Sequence, residues 1–474
     1  MRILLINPPR ENELLGNNPA IIDEERGYNP PLGLLYLAGY LERFTGHHVE
    51  VLDAQVEELS YDQLRQEIAR HQPNVVGLTT MTFTLIDVLK TARLVKEIDP
   101  STQVVLGGPH VHLYPEETLA FPEVDYLVLG EGEVPFAQLL ERIGDPVGLA
   151  QVGGIAFRHN GETAITSIRA LEADLDALPF PARHLTPYRK YSSVIAKRSP
   201  ITTMFTSRGC PYKCIFCDRP HLGKQFRARS ASNVVDEIEA CERIGIHEFL
   251  VYDDTFTIQR QRVLDICDEI IRRKLEIGWD IRARVNTVDE EMLRKLRQAN
   301  CERVHYGVEA GTDRVLKILQ KGITLEQTLQ AFAMTRKAGI STLAYFMIGA
   351  PTETREEILQ TIEFAKRLAP DFVHITIVTP FPGTQLYAMG LEQGQFTHDF
   401  WREFATVPTP DFQPQYWEEK LSRQELQELV TYAYKSFYER PAYIFQQLLQ
   451  VRSAGELLRK TKAGIQVFRM RPGS

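Results

Sequence analysis

Residues 202–217 read Thr202-Thr203-Met204-Phe205-Thr206-Ser207-Arg208-Gly209-Cys210-Pro211-Tyr212-Lys213-Cys214-Ile215-Phe216-Cys217. The first five are β-branched or apolar and read as a strand. The rest form a compact loop carrying three cysteines as C-x3-C-x2-C. Downstream, EFLVY (248–252), WDIRA (279–283), RVHYGV (303–308), TLAYFMIG (342–349) and FVHITIV (372–378) repeat the strand pattern. Segments of helical period such as NVVDEIEACERI and TREEILQTIEFAKRL separate them. Six such units are too few to close an eight-stranded barrel. Residues 201–390 are therefore expected to form a (β/α)6 partial TIM barrel, open on one side, with its site at the C-terminal ends of the strands.

Thiolates of Cys210, Cys214 and Cys217 on so short a loop can ligate one cubane [4Fe-4S] cluster and leave one iron open. A zinc site is the alternative; zinc wants four ligands, and nearby His221 could supply one. The other three cysteines, Cys241, Cys267 and Cys301, are scattered along helical patterns and read as small buried hydrophobes.

The first 145 residues alternate in the same way. RILLI (2–6), VEVLD (49–53), NVVGLT (74–79), QVVLGG (103–108) and VDYLVLG (124–130) read as nearly continuous apolar strands. This is the signature of a parallel sheet covered on both faces, here an α/β doubly wound, Rossmann-like domain. Such sheets bind ligands at the carboxyl ends of their strands. The loops there carry Thr79, Thr80 and Met81, then Gly107, Gly108 and Pro109, then Gly130 and Glu131. No GxGxxG follows the first strand and no P-loop occurs, which argues against a phosphate-cradling nucleotide site. Hydroxyls and bare glycine backbone suit a large, amide-rich ligand. A hairpin turning at Asn160-Gly161 and a Pro-rich connector (178–191), a linker or strap, fill residues 146–200. Residues 391–474 lack the alternation and read as a helical segment, with Pro441 ending or kinking a helix at Arg440.

Composition narrows the class of protein. The chain has 474 residues and a formal net charge of -8, which gives no support for a nucleic-acid partner. No apolar stretch approaches the ~20 residues of a membrane span, and the N-terminus reads as a strand rather than a signal peptide. A cytoplasmic protein is expected. The tail beyond Arg452, with Arg459, Lys460, Lys462, Arg469 and Arg471, could touch an anionic membrane or a lipid-like substrate; a solvated amphipathic helix is the simpler reading.

The cysteine spacing, with aromatic Phe216 before the last cysteine, resembles that of the radical S-adenosylmethionine (SAM) superfamily over residues 200–390. The resemblance implies that the open iron chelates SAM, whose reductive cleavage yields a 5′-deoxyadenosyl radical. A low-potential electron donor such as flavodoxin or ferredoxin would supply the electron. Family-like elements recur at successive strand ends: Tyr252-Asp253-Asp254-Thr255-Phe256, Arg282 and Arg284, Gly307-Val308-Glu309-Ala310-Gly311, Met347-Ile348-Gly349-Ala350-Pro351 and Thr379-Pro380-Phe381-Pro382-Gly383-Thr384. By resemblance, Asp254 lies near the methionyl amine, Glu309 at the ribose and Gly349 near the adenine, with Phe216 and Arg284 also in the SAM site. Singly, each of these is equally a cap, a turn or a solvated charge. The ordered set carries the argument.

Residues 1–145, with Pro30-Pro31-Leu32-Gly33 opening the first helix, resemble the cobalamin-binding domain of the cobalamin-dependent members of that superfamily. The nucleotide tail would lie near Gly107 and Gly108, and the corrin would face the barrel. A domain that binds nothing and only braces the barrel is the alternative. The Asp-x-His-x-x-Gly motif that supplies an axial histidine elsewhere is absent, and His110 and His112 read as ordinary loop histidines. Phe437-Tyr438-Glu439-Arg440-Pro441 also resembles the C-terminal region of this group, which would pack near the barrel's open side and shape the pocket of a small, hydrophobic substrate. The resemblance implies methylation of an unactivated carbon. Its rivals are a porphyrin-cyclase-type reaction or rearrangement without methyl transfer, and a non-catalytic sensor bearing both cofactors.

Overall fold

The computed structural model describes residues 1–14, 27–193, 195–218, 225–449 and 470. His221 and the basic tail beyond Arg452 lie outside the described residues.

The first sheet has seven strands in the order β2-β1-β3-β4-β5-β6-β7. Its five parallel strands are β1 (Arg2–Asn7), β2 (His48–Asp53), β3 (Val75–Thr79), β4 (Gln103–Gly107) and β5 (Tyr126–Val128). Leu4, Ile6, Val76, Leu78, Val104 and Leu106 pack on one face, and Ile3, Leu5, Val75 and Val105 on the other. Both faces are covered, which is why the strands read as continuous apolar runs. The hairpin β6 (Ile155–His159) and β7 (Glu162–Ile165) adds antiparallel to β5 and so extends this same sheet.

The second sheet is β8 (Ile201–Met204), β11 (Glu248–Val251), β12 (Gly278–Ala283), β13 (Cys301–Glu309), β14 (Ser341–Ile348) and β15 (Phe372–Ile377). All five pairings are parallel, and β8 and β15 remain unpaired edges, so the barrel is open. Between β8 and β11, the short strands β9 (Ser207–Arg208) and β10 (Arg227–Ala228) pair antiparallel. Cys301 begins β13 rather than closing a helix, because the helix Glu290–Gln298 ends before it.

Both open edges are covered, as unpaired backbone groups require. On β15, Val373 and Ile375 donate their N–H groups to the hydroxyls of Tyr438 and Tyr434, at 3.0 and 2.9 Å. These tyrosines belong to the helix Arg423–Tyr438, which ends before the Pro441 helix Pro441–Leu449. On β8, the connector acts as a strap. Ile201 donates to the Tyr191 carbonyl at 3.1 Å, and Arg183 donates to Thr202 Oγ1 and to the Thr203 carbonyl at 2.8 and 2.9 Å. The barrel's lower end is closed by residues after the strap, with Arg303 donating to the Ile195 carbonyl at 2.9 Å. Among the described residues, no helix is long and apolar enough to cross a membrane.

Candidate functional site

The cysteine loop stands on the β9–β10 stalk at the C-terminal end of β8. Its base is fixed by Asp253, fully buried after β11, which accepts four hydrogen bonds at 2.5–3.0 Å from the N–H and hydroxyl groups of Thr206 and Ser207. The adjacent Asp254 is half-buried at the barrel mouth. Sequence reasoning favoured Asp254 and missed Asp253, since adjacency in a loop does not reveal which carboxylate turns inward. Buried Ile215 plugs the loop into the core: its N–H reaches the Leu319 carbonyl, and its carbonyl receives the Leu386 N–H at 2.9 Å.

The three thiols differ sharply from the other cysteines. Cys210 and Cys214 are partly exposed and Cys217 exposed. Cys241, Cys267 and Cys301 are buried, and burial pushes their thiols up, Cys241 to about 11 and Cys267 to about 12. A buried thiol held protonated is a poor ligand, whereas a reachable one ionises readily on metal binding. Beside the loop, the Arg284 guanidinium lies 3.6 Å from the centre of the Tyr212 ring, with Nη1 3.7 Å from Cys214 Sγ. Nη2 donates to the Lys321 carbonyl. Arg284 is thus committed to the cysteine loop and places positive charge where thiolate charge would gather. Three accessible thiols on one anchored loop, flanked by a cation, fit a cluster. Among the described residues, no group of three or more His, Cys, Asp or Glu gathers closely enough for a single ion.

Around the mouth, Glu309 ends β13 at a break in register with φ 70°, a left-handed conformation that non-glycine residues adopt mainly where surroundings enforce it. Its Oε1 accepts from Lys321 Nζ at 2.6 Å, and Lys321 lies 6.0 Å from the Phe216 ring centre. Glu309, Lys321 and Phe216 therefore line one wall. Gly349 follows β14 and donates its N–H at 2.7 Å to Glu353, which also accepts from Ala350 at 2.9 Å. Glu353 and Lys321 were not singled out in the sequence; Glu353 lies past the end of β14 and Lys321 in the loop between two helices, where charge reads as solvated.

In the first domain, the loops after β3 and β4 interlock. Thr80 donates to the Gly107 carbonyl at 2.7 Å, and His110 donates to the Thr80 carbonyl at 3.1 Å. Gly108 has φ +102°, and a Cβ there would lie 2.8 Å from the Thr80 carbonyl oxygen. Only glycine fits this bare cradle. Pro109 starts the helix Pro109–Leu113, Met81 is exposed at the rim, and Thr79 Oγ1 lies beside Gly108. The Thr80 hydroxyl is buried with no hydrogen-bond partner among the described residues. Bare glycine backbone at the strand ends, beside an orphaned hydroxyl, fits a large amide-rich ligand.

One expectation is revised here. Glu131 is not free to meet that ligand: its carboxylate accepts from Arg227 at 2.6 and 2.9 Å and lies 3.1 Å from Arg208. It sits beyond Gly130, which turns at φ 78°. His110 is fully buried, bonds Thr82 Oγ1 at 3.1 Å through Nδ1, and is lowered by burial to about 3.

The two C-terminal edges meet. Glu131, after β5, reaches both strands of the cysteine-loop stalk, and Arg208 also bonds Glu133 at 2.5 Å. In the loop after β15, a Cβ on Gly383 would come within 2.8 Å of Leu113 and 3.0 Å of Asp218. Arg402 pairs with Glu117 across the same divide.

The family model of the Radical SAM superfamily matches residues 204–365, and that of the B12 binding domain matches residues 19–140. An uncharacterized methyltransferase of Pyrococcus horikoshii is 34% identical over 95% of this chain and 95% of its own length. The chain belongs to the cobalamin-dependent radical SAM enzymes. An anaerobic magnesium-protoporphyrin IX monomethyl ester cyclase of Rubrivivax gelatinosus is 30% identical over 94% of this chain and 78% of its own length. Among solved structures, the cobalamin-dependent SAM radical enzyme OxsB with aqua-cobalamin bound superposes with a TM-score of 0.76 at 18% identity, covering 98% of this chain and 72% of that one. TsrM from Kitasatospora setae, with cobalamin and a [4Fe-4S] cluster bound, gives 0.67 at 20% identity, covering 83% and 78%. The fold of this cobalamin-dependent radical SAM enzyme is thus the two-domain build of both.

Proposed function

We propose that this enzyme methylates an unactivated carbon of a small molecule held between the two domains. The observation that carries this is the meeting of the two C-terminal edges, which sets the Thr79–Pro109 crevice against the cysteine loop. Bound together, the cluster and SAM supply a radical that abstracts hydrogen, and cobalamin supplies a methyl group. Cys210, Cys214 and Cys217 would hold the cluster. The crevice of Thr79, Thr80, Met81, Gly107, Gly108 and Pro109 would hold the corrin's amide-bearing rim and tail.

The chain's own residues supply position. Asp253 fixes the base of the cysteine loop, so Cys210, Cys214 and Cys217 would be presented to a cluster in one arrangement. Asp254 and Glu309 would orient the SAM amine and ribose, Phe216 would line the SAM site, and Gly349 would border the adenine. Close approach of the loops at Gly383, Leu113 and Asp218 narrows the gap between the domains. Juxtaposing radical and methyl source in one enclosure converts an improbable encounter into a local one. The electron comes from a low-potential donor such as flavodoxin or ferredoxin, in keeping with a cytoplasmic enzyme.

The cyclase relatives favour a second reading, hydrogen abstraction without methyl transfer. Anaerobic purification with cobalamin supplied, iron and corrin quantitation, and incubation of the reduced enzyme with metabolite extract and methyl-deuterated SAM separate the readings. Methyl transfer predicts 5′-deoxyadenosine beyond one turnover and a deuterated product. A product without label supports the cyclase-type reaction, and no nucleoside release reduces the protein to a sensor.

A further inference from the structure

The barrel interior contains a polar belt that the cofactor site does not use. Along β12, Trp279, Ile281 and Ala283 pack outward into the core. By the two-residue period of a strand, Asp280 and Arg282 point into the lumen. On the neighbouring strands His305 pairs in register with Arg282, and Tyr252 follows β11; Tyr345 on β14 and His374 on β15 lie side by side two residues nearer the mouth. His305 Nδ1 lies 3.0 Å from the Tyr345 hydroxyl, and the Tyr345 and His374 rings are 5.6 Å apart.

The charges in the belt do not balance. Asp280 is spent on Arg303 at 2.7 Å and on His305 at 3.3 Å. Burial lowers both His305 and His374, which favours neutral rings. Arg282 is left over. Its guanidinium lies 4.1 Å from the centre of the Tyr252 ring, and among the described residues it makes no ion pair or hydrogen bond. Stacking on a ring face satisfies the plane of a guanidinium and leaves its N–H edge available. Residues after the strap close the lumen below, where Arg303 bonds the Ile195 carbonyl, so a ligand reaches this edge from the mouth. Arg282 also lies two residues deeper than Arg284, roughly 6–7 Å below the cysteine loop.

We propose that the substrate carries an anionic oxygen group, a carboxylate or phosphate, which Arg282 receives inside the lumen with Tyr345 and His305 as neutral hydrogen-bonding flanks. The anchor would hold the substrate's charged end low and leave its reacting carbon at the mouth. The assignment rests on the reading of the mouth as the reaction site, and it adds a charged end to a substrate expected to be hydrophobic.

The probe pair is 1-naphthoate and 1-naphthamide, matched in shape and differing in charge, titrated by fluorescence into the anaerobic holoenzyme with SAM present. The acid is expected to bind about tenfold more tightly than the amide. Arg282→Gln should erase that preference while iron content, corrin content and SAM affinity stay unchanged. Equal binding of the two probes, binding of neither, or a preference that survives R282Q overturns the proposal. So does competitive displacement of the acid by SAM, since the cation would then serve the cofactor. Because these readouts need no turnover, failure here is distinct from failure to find a methylated product. Phosphate displacing 1-naphthoate more strongly than acetate assigns the anion as a phosphate, and the reverse order as a carboxylate.

Discussion

Asp253 and Glu353 are both buried acids at strand ends, and they differ in how many donors surround them. Four donors surround Asp253, so the Asp253→Ala variant leaves buried N–H groups without an acceptor, at about 1–3 kcal/mol each at most. Its expected signature is loss of bound iron under conditions where circular dichroism shows the barrel still folded; full iron retention would contradict its anchoring role. Glu353 has only two backbone donors, and its other oxygen has no partner among the described residues. Burial therefore prevails and raises its carboxyl to about 7. A raised acid is held protonated in the fold. Its contribution is full below the ordinary glutamate range, declines as pH rises toward about 7, and is absent above that. Glu353→Gln keeps an acceptor for Gly349 and Ala350 but cannot ionise. Wild type should thus lose more stability than E353Q between about pH 5 and about pH 8, as read from anaerobic urea unfolding. Parallel losses in the two proteins would sink this.

At the scale of elements, an incomplete barrel must cap two edges, and this one does so with side chains. The Tyr438 hydroxyl both accepts from the Val373 N–H and donates to its carbonyl, each at 3.0 Å, imitating a missing strand. Tyr434→Phe leaves the Ile375 N–H buried and unpaired, at about 1–3 kcal/mol. Hydrogen exchange of the Ile375 amide should accelerate far more than that of amides in β12, at the middle of the sheet. Uniform acceleration would instead mean global destabilisation. The strands themselves were legible, because a sheet buried on both faces leaves apolar runs that no other element explains. The capping helix was legible only as a helix near the open side. That its tyrosines serve β15 is a long-range pairing with no trace in local sequence. The hairpin at Asn160-Gly161 was equally plain as a hairpin, while its addition to β5 was not. In the site, the cysteine triad announced itself by spacing, but the turning of Arg284 toward Cys214 and of Glu131 toward Arg227 depends on which chains lie opposite.

Across the whole molecule, those unforeseen partners tie the two domains together. Glu131 follows the last parallel strand of the first sheet, yet both its cations, Arg208 and Arg227, are residues of the stalk that carries the cysteine loop. Arg208 and Arg227 together hold the Glu131 carboxyl below its usual range despite burial. Removing one partner of such a cluster strands buried charge, commonly at about 3–5 kcal/mol. Glu131→Gln keeps the shape and removes the charge, so Arg227 and Arg208 lose their shared counterion and the stalk loosens. The consequence should appear in the other domain. The cluster of the variant is expected to bleach in air several-fold faster than wild type, followed by its visible absorption, while corrin content changes little. Glu162→Gln, on the exposed hairpin of the same sheet, serves as the control and should leave bleaching unchanged. If E131Q bleached at the wild-type rate, the domains would be adjacent without being coupled. If it lost corrin first, Glu131 would belong to the crevice after all.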